Sequence, residues 1–227
     1  MVVSDNTSIR RWIMNNEEIL AHVDHTLLKP FATWDAIAKL CDEAVKYKTA
    51  SVCVPPYYVK RIRQNYPDLD ICTVVGFPLG YETTEGKVAD TVQCIKDGAD
   101  EIDMVINICE VKNGNYDYVE DEIRALRKAS EGKILKVIVE TCYLTDEEKK
   151  RVCKCVTDAG ADYIKTSTGF GTDGATISDI RLFKENIGPD VKIKAAGGIK
   201  TKAQAEEYIE NGCDRVGASS VVSDIHG

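Results

Sequence analysis

The chain has 227 residues, of which 44% are hydrophobic and 29% are charged, so it can bury a sizeable core in one or two compact domains. Its net charge of −8 argues against a broad nucleic-acid interface but leaves a small anionic ligand open. Nine cysteines without a disulfide or zinc spacing predict reduced thiols in the cytoplasm. The opening stretch MVVSDNTSIRRWIMNNEEIL is typical of neither a signal peptide nor a membrane span.

Two kinds of segment, strand-like and helix-like, alternate along the chain after a short helical leader at about 8–20. Short runs rich in β-branched residues predict strands, at about 21–27, 50–55, 71–77, 101–108, 134–140, 162–168, 191–196 and 215–220. Stretches with helical periodicity lie between them, at 33–48, 56–66, 83–97, 116–131, 145–159, 176–187 and 201–211. This order of strand and helix is typical of repeated βα units.

The residues at the helix boundaries agree with that division. Thr145–Glu148 and Thr201–Gln204 match capping boxes, and Gly98, Gly160 and Gly212 each follow a helical stretch, where a left-handed residue is favoured. The segments KDGADEIDM, DAGADYIKT and ENGCDRVGA repeat one helix-to-strand junction. We therefore expect an α/β fold, a (β/α)8 TIM barrel forming a single domain over 1–227, with an open doubly wound sheet as the alternative. Because the chain ends soon after the eighth strand, the eighth helix is expected to be short or truncated.

Three evenly spaced lysines lie inside predicted strands: Lys136 in ILKVIVE, Lys165 in DYIKTST and Lys194 in VKIKAAGG. Strand side chains alternate between two faces, so these lysines and Asp103 of the fourth strand can point into one interior. Buried ammonium groups are costly as packing, but a neutral amine among them can attack a carbonyl. The alternative is that each lysine reaches solvent or pairs with an acid. Strand parity alone does not choose between Lys165 and Lys194 as the nucleophile.

The repulsion between two neighbouring ammonium groups makes one of them easier to deprotonate. Lowering a lysine pKa from about 10.4 to about 7–8 requires roughly 4 kcal/mol, which burial and a second lysine can supply. Asp103 would allow the charged lysines to coexist and could relay protons.

Small residues at three late strand ends suggest a phosphate site. The loops after strands 7 and 8 of such barrels often bind phosphate, because glycine lets backbone N–H groups approach the oxygens. The candidate phosphate-binding residues are Gly169, Gly197, Gly198, Gly217, Ser219 and Ser220.

Other candidates are weaker. His22 and His25 flank Asp24, but a metal site there is less expected than structural histidines, and we predict no metal and no cofactor. Asp24 and Thr26 share a strand face and could bind a sugar hydroxyl. Cys53 is expected to line the barrel rather than to act as a catalytic thiol.

At these residues the chain resembles the deoxyribose-phosphate aldolases, a family of class I barrel enzymes. The resemblance covers about residues 20–220 and is carried by VDHTLLKP, ASVCVPPYYV, CTVVGFPLG, GADEIDMVINI, LKVIVETCYLT, GADYIKTSTGFG, KIKAAGGIKT and GASS. It implies that Lys165 forms the Schiff base, that Lys194 perturbs it and helps to transfer protons, and that Asp103 is their acid–base partner. It also implies that Asp24 and Lys136 support the substrate. Thr26, Cys53 and Thr168 complete the predicted substrate-binding residues.

The implied activity is that of a carbon–carbon lyase, which cleaves 2-deoxy-D-ribose 5-phosphate reversibly into D-glyceraldehyde 3-phosphate and acetaldehyde. The partners are then this small phosphorylated sugar and acetaldehyde, without nucleic acid or membrane, and a homodimer is left open. In some members a tail ending in tyrosine assists proton transfer, whereas this sequence ends in SVVSDIHG and is not expected to use one. Two alternatives remain: a lysine-dependent aldolase that prefers keto donors, and a non-catalytic sugar-phosphate-binding barrel.

Overall fold

The computed structural model describes residues 14–227, in which eight parallel strands close into a barrel in chain order. The strands are β1 Val23–Thr26, β2 Ser51–Val54, β3 Ile71–Val75, β4 Glu101–Val105, β5 Ile134–Ile138, β6 Tyr163–Lys165, β7 Lys192–Ala196 and β8 Arg215–Ala218. Pairing of β1 with β8 completes the closure. The predicted α/β barrel is therefore confirmed, and the open doubly wound sheet is excluded.

Helices connect the strands and surround the barrel. Within residues 14–227 they are α1 Asn16–Leu20, α2 Trp34–Tyr47, α3 Val59–Asn65, α4 Thr84–Asp97, α5 Ile108–Lys112, α6 Tyr116–Ala129, α7 Asp146–Asp158, α8 Ile177–Asn186, α9 Lys202–Glu210 and α10 Val221–His226. Two short 3-10 helices, Pro56–Tyr58 and Thr141–Tyr143, precede α3 and α7. Helix α1 falls within the predicted leader, whose residues 8–13 lie outside the described chain.

Local sequence explains where the helices begin and end. Both predicted capping boxes are present. In the first, the Thr145 hydroxyl accepts the Glu148 N–H at 3.3 Å, and the Glu148 carboxylate accepts the Thr145 N–H at 2.7 Å. These bonds satisfy N–H groups that have no partner inside the helix. The three predicted C-terminal glycines all have positive φ, namely Gly98 at 111°, Gly160 at 72° and Gly212 at 106°.

One α-helix, α5, was absent from the sequence prediction. Helix α5 begins where the fourth strand was expected to continue to residue 108, because the Asn107 side chain accepts the Cys109 N–H at 3.1 Å and caps a new helix. Helix α10 follows β8 and has 6 residues, which agrees with the short eighth helix that was expected.

The hydrophobic core lies between the strands and the helices. The outward-facing strand residues, such as Val52 and Val54 of β2, join it with the buried stripe of each helix. Helix α2 contributes Ile37, Leu40 and Cys41 to this layer. Because the outer face of each strand makes the core, the inner face is free to carry polar chemistry.

Among residues 14–227, no helix combines the length and the apolar character that a membrane span requires.

Candidate active site

Charged side chains line the interior of the barrel, where branched aliphatic residues are the more common filling. The strand register places Lys165 of β6 opposite Lys194 of β7, and Asp103 of β4 opposite Lys136 of β5. All four side chains are buried: Lys165 is 3% exposed and the other three are 0% exposed. The structure thus brings together the four groups that the alternation of side chains along the strands predicted to face one interior.

Asp103 is the centre of this cluster. Its Oδ2 accepts hydrogen bonds from Lys165 Nζ at 2.8 Å and from Lys194 Nζ at 2.7 Å, while its Oδ1 accepts one from Lys136 Nζ at 2.9 Å. Burial alone would raise the pKa of Asp103, but the three ammonium groups hold it well below its usual range. The Asp103 carboxylate is therefore ionised and holds three cations within hydrogen-bonding distance.

Two further acids and one arginine complete the network below Asp103. Lys136 donates to Glu101 at 2.5 Å, and Lys194 forms an ion pair with Asp24. Arg215, at the start of β8, bridges the two acids, at 2.5 Å to Asp24 and 3.2 Å to Glu101. The sequence analysis did not single out Arg215, although it precedes Gly217 by two positions and so lies on the same face of its strand.

The interior holds one positive charge more than its acids can balance. Four cations, Lys136, Lys165, Lys194 and Arg215, face three carboxylates, Asp24, Glu101 and Asp103. A buried charge is costly unless it is paired, so loss of one ammonium proton would make the network neutral.

Lys136 and Lys194 are held in the charged form. Burial alone would lower the pKa of Lys194, but Asp103 and Asp24 raise it above the ordinary value. The pKa of Lys136 is also raised, because the nearby carboxylates outweigh the same cost of burial.

Only one of the three clustered lysines reaches the cavity at the carboxyl ends of the strands. This cavity has a volume of about 170 Å³ and lies where such barrels carry their active sites. Its lining residues are Thr26, Leu27, Leu28, Lys29, Lys165, Thr168, Gly169, Phe170, Ala196, Gly197, Gly198, Ile199, Gly217, Ala218 and Ser219. Lys165 can therefore meet a ligand directly, whereas Lys136, Lys194 and Asp103 lie beneath it.

The predicted phosphate-binding turns form one side of this cavity. Gly169, Gly197 and Gly198 have φ values of 83°, 86° and 79°, which favour glycine. In residues 14–227, the N–H groups of Gly197, Gly198 and Ser219 donate to no protein acceptor. Backbone N–H groups left unpaired at strand ends are suited to bind an anion.

Gly217 also lines the cavity, but the last predicted phosphate residue does not. Ser220 lies one position beyond the lining, directly before α10, and its hydroxyl donates to the Lys200 carbonyl at 2.9 Å.

The predicted substrate-binding residues divide into two groups. Thr26 and Thr168 line the cavity, and the Thr26 hydroxyl donates to the Asp24 carbonyl at 2.8 Å. Asp24 and Lys136 lie deeper, inside the ion network. Cys53 is fully buried beside Cys72 inside the barrel, as expected for a lining cysteine.

Glu140 is a site residue that the sequence analysis did not single out. It follows β5, is 1% exposed, and has a φ of 52°, which is unusual for a residue other than glycine. Its carboxylate accepts the Thr168 N–H at 3.2 Å and also the Thr168 hydroxyl. Burial raises the pKa of Glu140, although these bonds to Thr168 oppose the shift. Backbone strain of this kind is often found at functional sites.

Within residues 14–227, two clusters of donor atoms have the spacing of metal ligands: Cys53, Cys72 and Asp103, and Asp24, Cys72 and Glu101. Both include atoms that Lys136 already contacts, since its Nζ lies 3.3 Å from Cys72 Sγ and 2.9 Å from Asp103 Oδ1. A dication would therefore have to displace an ammonium group from a site that already carries excess positive charge.

The two N-terminal histidines have separate partners. His22 Nδ1 hydrogen-bonds to the Asp214 carbonyl at 2.8 Å, and His25 Nε2 to Glu43 at 2.9 Å. These contacts are those of structural residues rather than of a metal site.

Comparison with known proteins agrees with this geometry. A family model described as DeoC/LacD family aldolase matches residues 19–223. The chain is 64% identical over 215 residues to a deoxyribose-phosphate aldolase from Clostridium botulinum strain Alaska E43 / Type E3, an alignment that covers 94% of this chain and 97% of the relative.

Solved structures agree as well. The aldolase QR15 superposes with a TM-score of 0.89 at 37% identity, covering 92% of this chain and 95% of that one. The tetrameric deoxyribose-phosphate aldolase from Aeropyrum pernix superposes with a TM-score of 0.87 at 28% identity, covering 93% and 91% of the two chains. The chain therefore belongs to the DeoC/LacD family of aldolases.

Proposed function

We propose that this protein is a deoxyribose-phosphate aldolase, a carbon–carbon lyase that cleaves 2-deoxy-D-ribose 5-phosphate reversibly into D-glyceraldehyde 3-phosphate and acetaldehyde. The observation that carries the mechanism is the position of Lys165. It lines the cavity while its Nζ donates to Asp103, which also holds Lys194.

Lys165 is the nucleophile in this proposal. It contacts one carboxylate, whereas Lys194 contacts two, so Lys165 is the less strongly held of the two ammonium groups. Its loss of a proton also removes the excess positive charge of the interior. The neutral amine attacks C1 of the open-chain sugar, and loss of water leaves an iminium ion that withdraws electrons from C2.

Asp103 and Lys194 would handle the protons. Removal of the proton from the C3 hydroxyl lets the C2–C3 electron pair move towards the iminium, which releases glyceraldehyde 3-phosphate and leaves an enamine. Asp103 can relay this proton because its Oδ2 contacts both Lys165 and Lys194. Protonation of the enamine and hydrolysis of the imine then release acetaldehyde and regenerate Lys165.

The turns after β6, β7 and β8 would bind the substrate's phosphate. The unpaired N–H groups of Gly197, Gly198 and Ser219 support this role. Thr26 and Thr168 would contact the sugar hydroxyls, which is supported by their lining the same cavity.

The test compares two strand lysines. Acetaldehyde release from deoxyribose 5-phosphate is measured for Lys165→Met and for Lys192→Met, whose lysine is exposed at the start of β7. Lys165→Met should lose activity by more than about 10³-fold. It leaves three cations facing three carboxylates, so it should melt no lower than the wild type.

Lys192→Met should retain activity. Activity retained in Lys165→Met would contradict the proposal, and so would a wild type that prefers dihydroxyacetone to acetaldehyde as the donor.

We also propose a single barrel domain over 1–227, a cytoplasmic location and assembly as a homodimer. The nine cysteines are all free, which supports a reducing compartment. The Aeropyrum pernix relative is described as tetrameric, so light scattering must decide between dimer and tetramer for this chain.

A further inference from the structure

The cavity contains one charged side chain that the proposed reaction does not use. Lys165 and Lys29 are the ionisable residues among those that line it, and no acid of the described chain is among them. The protein as a whole carries a net charge of −8. A cavity with cationic lining in an acidic protein is suited to an anion, because only local charge can offset the overall repulsion.

Lys29 has no acidic partner of its own within residues 14–227. It is exposed, and its Nζ lies 5.7 Å from the centre of the Phe170 ring. Contact with an aromatic face costs an ammonium group little hydration and can be exchanged for a stronger partner.

The Lys29–Phe170 contact joins two loops that line the cavity. Lys29 lies in the loop after β1, and Phe170 lies in the loop after β6. In the barrel order, β7 and β8 lie between these strands on one side. Lys29 lines the same cavity as the turns that contain Gly197, Gly198 and Ser219.

We propose that Lys29 pairs with the phosphate of the substrate and sets the preference for a phosphorylated over an unphosphorylated sugar, an inference that rests on the proposed function. The turns supply N–H dipoles but no net charge, whereas a phosphate monoester carries close to two negative charges at pH 7. Lys165 must be neutral when it attacks the sugar, and the iminium nitrogen that it then forms is committed to C1. Lys29 is the remaining cation of the cavity, and an ammonium–phosphate hydrogen bond is stronger than one between neutral groups.

The test uses three variants and two sugars. Lys29→Met keeps the aliphatic stem and removes the charge, Lys29→Arg keeps the charge, and Lys39→Met is the control, since the Lys39 side chain is 78% exposed on α2. For each, kcat/KM is measured with 2-deoxy-D-ribose 5-phosphate and with 2-deoxy-D-ribose. Calorimetry measures the binding of inorganic phosphate.

In Lys29→Met the ratio of the two kcat/KM values should fall about tenfold, and the affinity for inorganic phosphate should fall by a similar factor. Lys29→Arg should keep the ratio within about threefold, and Lys39→Met should match the wild type. An unchanged ratio in Lys29→Met would overturn the proposal, as would an equal loss with both sugars, which would indicate a structural role.

The two proposals fail in different ways. A wild type that cleaves neither sugar would contradict the proposed function. The phosphate affinities of wild type and Lys29→Met would still decide whether Lys29 binds the anion.

Discussion

Lys165 and Lys194 donate hydrogen bonds to one and the same oxygen, Asp103 Oδ2, at 2.8 and 2.7 Å. The two lysines also lie opposite each other on neighbouring strands. A single carboxylate oxygen thus links the amine that reaches the cavity to the amine that lies beneath it. This arrangement gives a proton a short path between the two nitrogens, and it makes Asp103 the residue on which the site most depends.

Asp103→Asn should therefore affect catalysis and stability together. The asparagine still offers a carbonyl oxygen, but the interior is left with four cations and two carboxylates. We expect kcat to fall by about 10³-fold, since the group no longer relays a proton. The free energy of unfolding should fall by about 3–5 kcal/mol, because buried ammonium groups lose their counter-ion.

Glu101→Gln is the matched control for this change. It removes one buried charge as well, but Glu101 contacts Lys136 and Arg215 rather than the two lysines of the proposed relay. We expect a comparable loss of stability from urea unfolding and a loss of kcat below about tenfold. Equal losses of kcat in the two variants would show that Asp103 acts only through the charge balance.

The ion network predicts a stability profile that falls at both ends of the pH scale. Asp24 and Asp103 have folded pKa values below their unfolded value of about 4, so their contribution is present above about pH 4 and is lost as the pH falls towards the folded values. Lys136 and Lys194 have raised pKa values, so their contribution is present below about pH 10.4 and is lost as the pH rises further.

Urea unfolding of the wild type should give a nearly constant free energy between about pH 6.5 and 8. Above this range the buried cysteines, whose pKa values burial raises, also favour the unfolded state, and below it His25 does. Asp24→Asn should be less stable throughout this range and should have a shallower acid limb, since one depressed carboxyl is gone. If the free energy of unfolding falls with decreasing pH as steeply in Asp24→Asn as in the wild type, Asp24 does not contribute to the acid dependence as predicted.

Glu140 should influence activity by positioning Thr168. Glu140→Gln removes the charged acceptor of the Thr168 N–H and hydroxyl, and we expect kcat/KM to fall about tenfold, a loss of about 1.4 kcal/mol. Thr168→Val removes the hydroxyl from the other side of the same bond. The double variant should lose less than the sum of the two, by at least about 0.5 kcal/mol.

Glu140→Gly separates the carboxylate from the strained backbone. Glycine accepts a φ of 52° without cost, so this variant should be no less stable than Glu140→Gln while it remains impaired. Additive effects of Glu140→Gln and Thr168→Val would indicate that the carboxylate does not act through Thr168.

A second buried ion pair lies outside the barrel, between α4 and α6. Lys87 and Glu122 are fully buried at 2.7 Å, and they also bond to the Val105 carbonyl and the Asn107 N–H at the end of β4. Lys87→Met should cost about 3–5 kcal/mol, because it leaves the Glu122 carboxylate buried without its cation.

Lys87→Met combined with Glu122→Leu should recover part of that loss. Thermal unfolding of the single and double variants checks this. A double variant less stable than Lys87→Met would contradict the explanation.

The sequence predicted the barrel well because each strand and helix carries its own local signals. The capping boxes at Thr145 and Thr201 and the glycines after the helices are read from a few neighbouring residues, and the structure confirms them. Strand ends were less predictable. The apolar residues Ile106 and Ile108 continue the pattern of β4, but the Asn107 side chain starts α5 instead.

The alternation of side chains along each strand predicted which residues face the barrel interior. Their roles depend on how far each side chain lies from the cavity, which alternation does not report. Alternation along the strands put Asp103, Lys165 and Lys194 on one interior, yet it could not show that only Lys165 reaches the cavity. That distinction depends on the position of each residue along the barrel axis once the eight strands have closed into a barrel. Glu140 and Lys29 were missed for a related reason, since both lie in loops, where no periodic pattern reports what a side chain contacts.

The most direct test of the mechanism is borohydride reduction of the protein in the presence of deoxyribose 5-phosphate, followed by peptide mass mapping. We expect one reduced adduct, on the peptide that carries Lys165, and no adduct in Lys165→Met. An adduct on Lys194 would keep the imine chemistry but reverse the roles of the two lysines. A folded protein that forms no adduct at all would contradict the Schiff-base mechanism.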